Sequence, residues 1–209
     1  MQTNEASKLP PSKNNYVFVT VGSTSFDDLI SAVHSTTILK ELKQQGYDQV
    51  IYQIGRGIFI PKNKNNDIIQ VMYFRSKPSI APYIQNAGLV ICHAGVGTVM
   101  ETLRMKKKVI VVVNPSLMDN HQLEVAAALE EDEHIYLCRS PNNIELVLTK
   151  IKDNTPLLPI KDLDKTLFPT LLESELSLST TVANGSTSSS SILTIAIIVL
   201  GISLYMSFI

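Results

Sequence analysis

The 209-residue sequence predicts an α/β fold, a Rossmann-like parallel sheet with helices on both faces. Three observations carry that expectation. Six short apolar runs alternate with helix-like patterns, which calls for right-handed βαβ crossovers. Val109–Val113 is an unbroken β-branched run, the pattern of a strand covered on both sides. Glycine-bearing turns follow three of the runs, at Gly22, Gly55 and Gly95.

Taken in order, Tyr16–Val21 reads as the first strand, rich in Val and aromatics. One helix is expected from Phe26 to Gly46, with Leu29, Ile30, Val33, Leu39 and Leu42 on one stripe. Ser25 is its expected N-cap, with Asp28 three residues on, and Gly46 its stop. Val50–Ile54 and Ile68–Phe74 are the next strands, and a short helix is expected over Ala81–Asn86. Leu89–Cys92 is the fourth strand, followed by a helix from Thr98. Val109–Val113 precedes a helix from Asp119 to about Glu130. Ile135–Cys138 and a helix over Asn142–Lys152 complete the alternation. Beyond Lys152 the pattern decays at Pro156, Pro159 and Pro169, and no internal repeat is present.

The chain therefore divides into a polar, disordered N-terminus (1–15), the α/β domain (16–152), a Pro/Ser/Thr-rich linker (153–191) and an apolar tail (192–209). The tail is uncharged; as a helix its 18 residues span about 27 Å, close to the roughly 30 Å of a bilayer's hydrocarbon core. It reads as a C-terminal transmembrane anchor. The N-terminus has no apolar stretch and does not read as a signal peptide. A domain held by a C-terminal anchor stays on the cytosolic side, so the sequon at Asn184 is expected to stay unused.

Charged residues are 18% of the chain and the net charge is −1, without the basic excess a nucleic-acid binder needs to displace counterions. Cys92 and Cys138 lie in apolar runs and lack metal-ligand spacing, so both are expected as buried, reduced thiols. His34 and His134 are expected to have no functional role.

Ligands of an open parallel sheet bind at the carboxyl ends of its strands. Four motifs fall there. Gly22-Ser23-Thr24-Ser25 offers hydroxyls and amides to an anion, although Ser25 serves equally well as a helix cap. Gly55-Arg56-Gly57 places an arginine that either reaches a phosphate or is a solvated loop residue. His93-Ala94-Gly95-Val96-Gly97-Thr98-Val99-Met100-Glu101 opens a helix with two glycines, which suits a diphosphate. On that helix Thr98 and Glu101 share a face one turn apart, so a hydroxyl meets phosphate and a carboxylate accepts from ribose hydroxyls, while Val99 and Leu103 turn to the core. Met100 stands where a dinucleotide fold carries its third glycine, which weighs against a nicotinamide oxidoreductase. After the fifth strand, His121 and Gln122 in the first helical turn offer hydrogen bonds to a sugar or base, and Asp119 and Gln122 also have capping-box spacing.

The segments Gly22–Ile30, Gln53–Gly57, His93–Leu103 and Asp119–Gln122 closely resemble the small catalytic subunits of eukaryotic dolichol-pathway UDP-N-acetylglucosamine transferases. Those subunits are similar to the C-terminal half of the bacterial lipid-II-forming N-acetylglucosaminyltransferase. The resemblance covers about residues 14–152. It implies the C-terminal domain of glycosyltransferase family 28, half of a GT-B fold. The implied reaction transfers a second N-acetylglucosamine from UDP-N-acetylglucosamine to N-acetylglucosaminyl-diphospho-dolichol, with inversion, no cofactor and no bound metal, in N-glycan precursor assembly. It places Thr98 near the donor phosphates, Glu101 on the ribose, His121 and Gln122 on the donor sugar, and His93 and Gly95 in the glycine-rich loop. It further implies a heterodimer with a membrane-bound, acceptor-binding subunit at the cytosolic face of the endoplasmic reticulum. No residue stands out as the acceptor base. The apolar tail departs from the family, whose small subunit is usually soluble. A non-catalytic nucleotide-sugar-binding scaffold on a membrane is the alternative reading.

Overall fold

The computed structural model describes residues 15–62, 68–114, 120–152 and 157–159, all within the first of two units into which the chain divides, Met1–Lys161. Six parallel strands form one sheet: β1 (Tyr16–Thr20), β2 (Gln49–Gln53), β3 (Gln70–Phe74), β4 (Leu89–His93), β5 (Val109–Val112) and β6 (Tyr136–Cys138). Their order across the sheet is β3-β2-β1-β4-β5-β6. This is the doubly wound arrangement, in which the chain reverses direction between β1 and β4 and opens a crevice there. Register pairs Val17 with Leu89 and Thr20 with Cys92, so the loops leaving these two strands emerge side by side.

β1 and β2 are buried along their whole lengths and β4 up to its last residue, His93, because helices cover both faces. On one face Val17, Val19, Ile91 and Ile110 meet Leu29, Ile30 and Val33 of α1 (Asp27–Val33) and Ile38 and Leu42 of α2 (Thr36–Gln44). Val147, Leu148 and Ile151 of α6 (Ile144–Lys152) close that layer. On the other face Phe18, Val90 and Val111 meet Tyr83 and Ile84 of α3 (Ala81–Asn86), Val99 and Leu103 of α4 (Val96–Arg104) and Ala126 of α5 (Asn120–Glu131). Each fully buried aliphatic side chain contributes about 1.5–3 kcal/mol, and truncating one such as Leu42 or Ile91 to Ala costs about 2–5 kcal/mol.

The single helix expected over 26–46 is two. Ser35 is extended (φ −65°, ψ 147°) and its hydroxyl accepts from the Ile38 amide at 3.4 Å, so it caps a new helix. The two β-branched residues Thr36 and Thr37 suit such a restart better than a helix interior. Ser25 caps nothing: α1 starts at Asp27 behind Phe26, with no side-chain cap. Gly46 does end α2 (φ +91°), with its amide bonded to the Lys43 carbonyl and that of Tyr47 to Leu42. The helix after β4 begins at Val96, two residues before Thr98. A 3-10 turn over Pro141–Asn143 precedes α6. Both cysteines are buried free thiols, as expected. Burial pushes Cys92 up to about 12 and raises Cys138, so both stay protonated at neutral pH.

Among the described residues no helix is long and apolar enough to cross a membrane. The tail at 192–209, the linker's low-complexity stretch and the N-terminus 1–14 lie outside the described residues.

Candidate nucleotide-sugar site

The loops after β1 and β4 meet at the switch point. Gly22 adopts φ +62°, a conformation that costs other residues energy, and a Cβ there would lie 3.1 Å from Cε1 of His93. A Cβ on Gly95 would lie 2.5 Å from the His93 Nε2. The imidazole is therefore seated between two glycines, each of which leaves room for it. Burial holds its pKa below the ordinary value, while the Thr20 carbonyl works the other way. The ring is thus neutral at pH 7, with one N–H donor and one bare nitrogen. No hydrogen bond of good geometry reaches Nδ1 among the described residues.

Gly95 precedes α4 in an extended conformation and carries no capping side chain. Its own amide bonds to the His93 carbonyl at 2.8 Å, and its carbonyl accepts from Val99 at 3.1 Å. The amides of Val96, Gly97 and Thr98 form the first turn, where a helix has no upstream carbonyl to offer. The positive end of the helix dipole adds to their attraction for an anion. Thr98 and Glu101 are half-buried one turn apart, while Val99 and Leu103 are buried in the core, the division expected from sequence. Burial raises the Glu101 carboxyl above its usual range, and Arg104 opposes that shift.

The β1 loop is bonded more internally than its composition suggests. The Thr20 hydroxyl donates to Oε1 of buried Gln53 at 2.5 Å and accepts from the Gly22 amide at 3.0 Å. The Thr24 hydroxyl donates to the Val21 carbonyl at 2.8 Å. The protons of Gly22 and Thr24 are thus committed to the turn, and Ser23 is left as an exposed hydroxyl beside it. The β2 loop is tied to the β1 loop through the Arg56 amide and the Thr24 carbonyl at 2.9 Å. The Arg56 side chain itself is exposed at this edge.

Sequence reading missed two residues that build the edge. Asp27 accepts from the amides of Ile58 and Phe59, both at 3.0 Å, and Gly57 lies so close that any Cβ would strike this carboxylate. Arg75 donates to the carbonyls of Gly57 at 2.9 Å and Gly55 at 3.3 Å. Neither has a local sequence signal, because both act on a loop some 20 to 30 residues away in the chain. Asn120, His121 and Gln122 fall on the first turn of α5, and nothing is described of their side chains. Asp119 lies outside the described residues. Among the described residues no three His, Cys, Asp or Glu side chains group as a metal site. His34 lies edge-on to the rings of Tyr52 and Phe59, each 5.9 Å away, and Nδ1 of His134 donates to the Leu158 carbonyl at 2.9 Å.

Sheet order, crevice and helix-start amides together define a nucleotide-binding α/β domain. Residues 16–165 match the glycosyltransferase family 28 C-terminal domain, and the chain belongs to that family. It is 45% identical over 122 residues to the human UDP-N-acetylglucosamine transferase subunit ALG13, a match covering 58% of this chain and 11% of the human protein. With the Kluyveromyces lactis protein of that name it shares 31% identity over 190 residues, 76% of this chain and 96% of the relative. The chain spans about a tenth of the length of the human and mouse relatives it matches (11% and 10%). Its fold is similar to the NMR solution structure of ALG13, with a TM-score of 0.56 and 28% identity over 77% of this chain and 96% of that one. The kitacinnamycin glycotransferase shares the fold at a TM-score of 0.51 and 15% identity, over 70% of this chain and 37% of that one.

Proposed function

We propose that this domain binds UDP-N-acetylglucosamine and is the donor-binding subunit of an inverting N-acetylglucosaminyltransferase. The acceptor is N-acetylglucosaminyl-diphospho-dolichol, and the step adds the second sugar of an N-glycan precursor. The observation that carries this reading is the β1/β4 switch point, where His93 sits between Gly22 and Gly95 beside the first turn of α4. The diphosphate lies against the Val96, Gly97 and Thr98 amides, with the Thr98 hydroxyl as a further donor and the neutral His93 ring beside it in the glycine-rich loop. Glu101, one turn in, accepts from the ribose hydroxyls. Ser23 and Arg56 stand at the rim, and His121 and Gln122 on α5 serve the donor sugar. Charge developing on the UDP leaving group is met by amides and helix dipole, without a metal or cofactor.

The acceptor and its activating base belong to a membrane-bound partner subunit at the cytosolic face of the endoplasmic reticulum, and residues 192–209 hold the chain there. The test is transfer of labelled N-acetylglucosamine from the UDP donor to the lipid-diphosphate sugar, with this chain alone and with the partner subunit. Transfer that requires both chains is the expected result. UDP binding without transfer in the complete complex would leave only a scaffold role.

A further inference from the structure

Ile58 is 87% exposed, at the tip of the loop that leaves β2 at the same edge as the donor crevice. It is not a floppy loop end. Asp27 takes the amides of Ile58 and Phe59, Arg75 takes the carbonyls of Gly55 and Gly57, and Gly55 turns the chain at φ +54°. A firm backbone thus holds one large apolar side chain out in water. Its neighbours Phe59 and Ile60 are half-buried against the core, so among the described residues no broad apolar patch surrounds it. A stable protein interface needs about 800 Å² from each partner, and one isolated side chain does not supply that.

The surroundings are cationic. Arg56 and Arg75 flank the tip, Lys62 follows within four residues, and all three are exposed. Lys77, its Nζ 5.2 Å from the Phe74 ring centre, stands at the neighbouring strand end. Asp27 and Asp28 at α1's start set two carboxylates against these four cations, which leaves the described edge net positive. An apolar point among cations suits the headgroup region of an anionic bilayer, where the side chain enters the acyl boundary and the cations meet lipid phosphates.

We infer that the Ile58 loop is a membrane-contact tip that sets the donor crevice against an anionic lipid surface. One side chain and a few charges orient the domain and do not anchor it. The inference deepens the proposed function, in which the acceptor is a membrane lipid, and it rests on that reading for its purpose.

The chain contains no Trp, so Ile58→Trp makes a single-site reporter in the full chain. It is mixed with vesicles of phosphatidylcholine, or of phosphatidylcholine with phosphatidylserine, with and without brominated acyl chains. The expected result on anionic vesicles is a blue shift and quenching by the brominated lipid. Lys62→Glu in the same background should diminish both. Leu146→Trp, at a 67% exposed site on α6, should show neither. Solvent-like emission from position 58 while the protein sediments with the vesicles overturns the inference. So does an equal response on neutral vesicles, or one that appears only when the partner subunit is added. UDP binding is measured on the same sample: its loss sinks the donor reading, whereas its persistence with a silent reporter sinks the tip alone.

Discussion

At Glu101 the role proposed for the side chain and the stability of the fold pull in opposite directions. Burial raises its carboxyl above the ordinary value of 4.5, which means the folded environment disfavours the charged form. A carboxyl raised in this way works against folding at neutral pH, where it is ionised, and the penalty fades as pH falls through its folded pKa. Glu101→Gln should therefore leave the empty domain at least as stable at pH 7 in urea melts, while UDP binding weakens. Glu101→Ala should weaken UDP binding by about 1–3 kcal/mol through lost charged hydrogen bonds. In the native domain, UDP affinity should drop on acidification with an inflection above that of a free Glu; pH-independent affinity by calorimetry would take Glu101 out of the site. The seat of His93 makes a second case. Gly95→Ala drives a methyl into the ring and should cost about 1–3 kcal/mol of stability, as overpacking does. His93→Ala in the same chain should recover most of that. A double-mutant cycle with no coupling would show that the two residues do not meet in solution.

At the scale of elements, the helix ends separate what composition signals from what tertiary context imposes. Three helices close in the same way. After α2 the left-handed residue is Gly46, but after α4 it is Lys106 (φ +54°) and after α5 it is Glu133 (φ +58°). Each makes the paired bonds of a Schellman stop, as in Lys106 to Leu103 and Lys107 to Thr102. Only the first was legible, because only it has glycine. A side chain in this region costs roughly 1–2 kcal/mol, so Lys106→Gly should stabilise the domain by about 1 kcal/mol in urea unfolding. No gain would mean that Lys106 is held by contacts outweighing its backbone strain. The break between α1 and α2 did leave a mark in the sequence. The apolar stripe steps five residues from Val33 to Ile38, too far for one helix face, and Ser35 stands in the gap. By contrast, the faces of α4 followed directly from spacing, since Thr98 and Glu101 versus Val99 and Leu103 is a matter of 3.6-residue periodicity.

For the whole molecule, the proposed function makes two demands. Sugar transfer should continue in excess EDTA, because the leaving diphosphate is met by amides; loss of activity that Mg²⁺ or Mn²⁺ restores would overturn this. Removing residues 192–209 should release the chain from membranes into the soluble fraction. Persistence in the membrane fraction would make the partner subunit the sole anchor.

Sequence alone determined the alternation of strands and helices, the double-sided burial of the sheet and the positions of the glycine turns, because these depend on local periodicity and on residues next to one another. It also marked Gly22, Gly95, Thr98 and Glu101, whose chemistry is tied to strand ends and helix starts. Only the tertiary structure decided the strand order that puts β1 beside β4 and makes their loops one crevice. It alone placed the His93 ring between Gly22 and Gly95, and it committed the Thr24 hydroxyl to its own turn. The tie of the 55–59 loop to Asp27 and Arg75 was likewise invisible beforehand. The contacts of Gly22 with His93, and of Asp27 and Arg75 with the 55–59 loop, join residues far apart in the chain, and no local pattern encodes which distant backbone groups a carboxylate or guanidinium will meet once the sheet has closed.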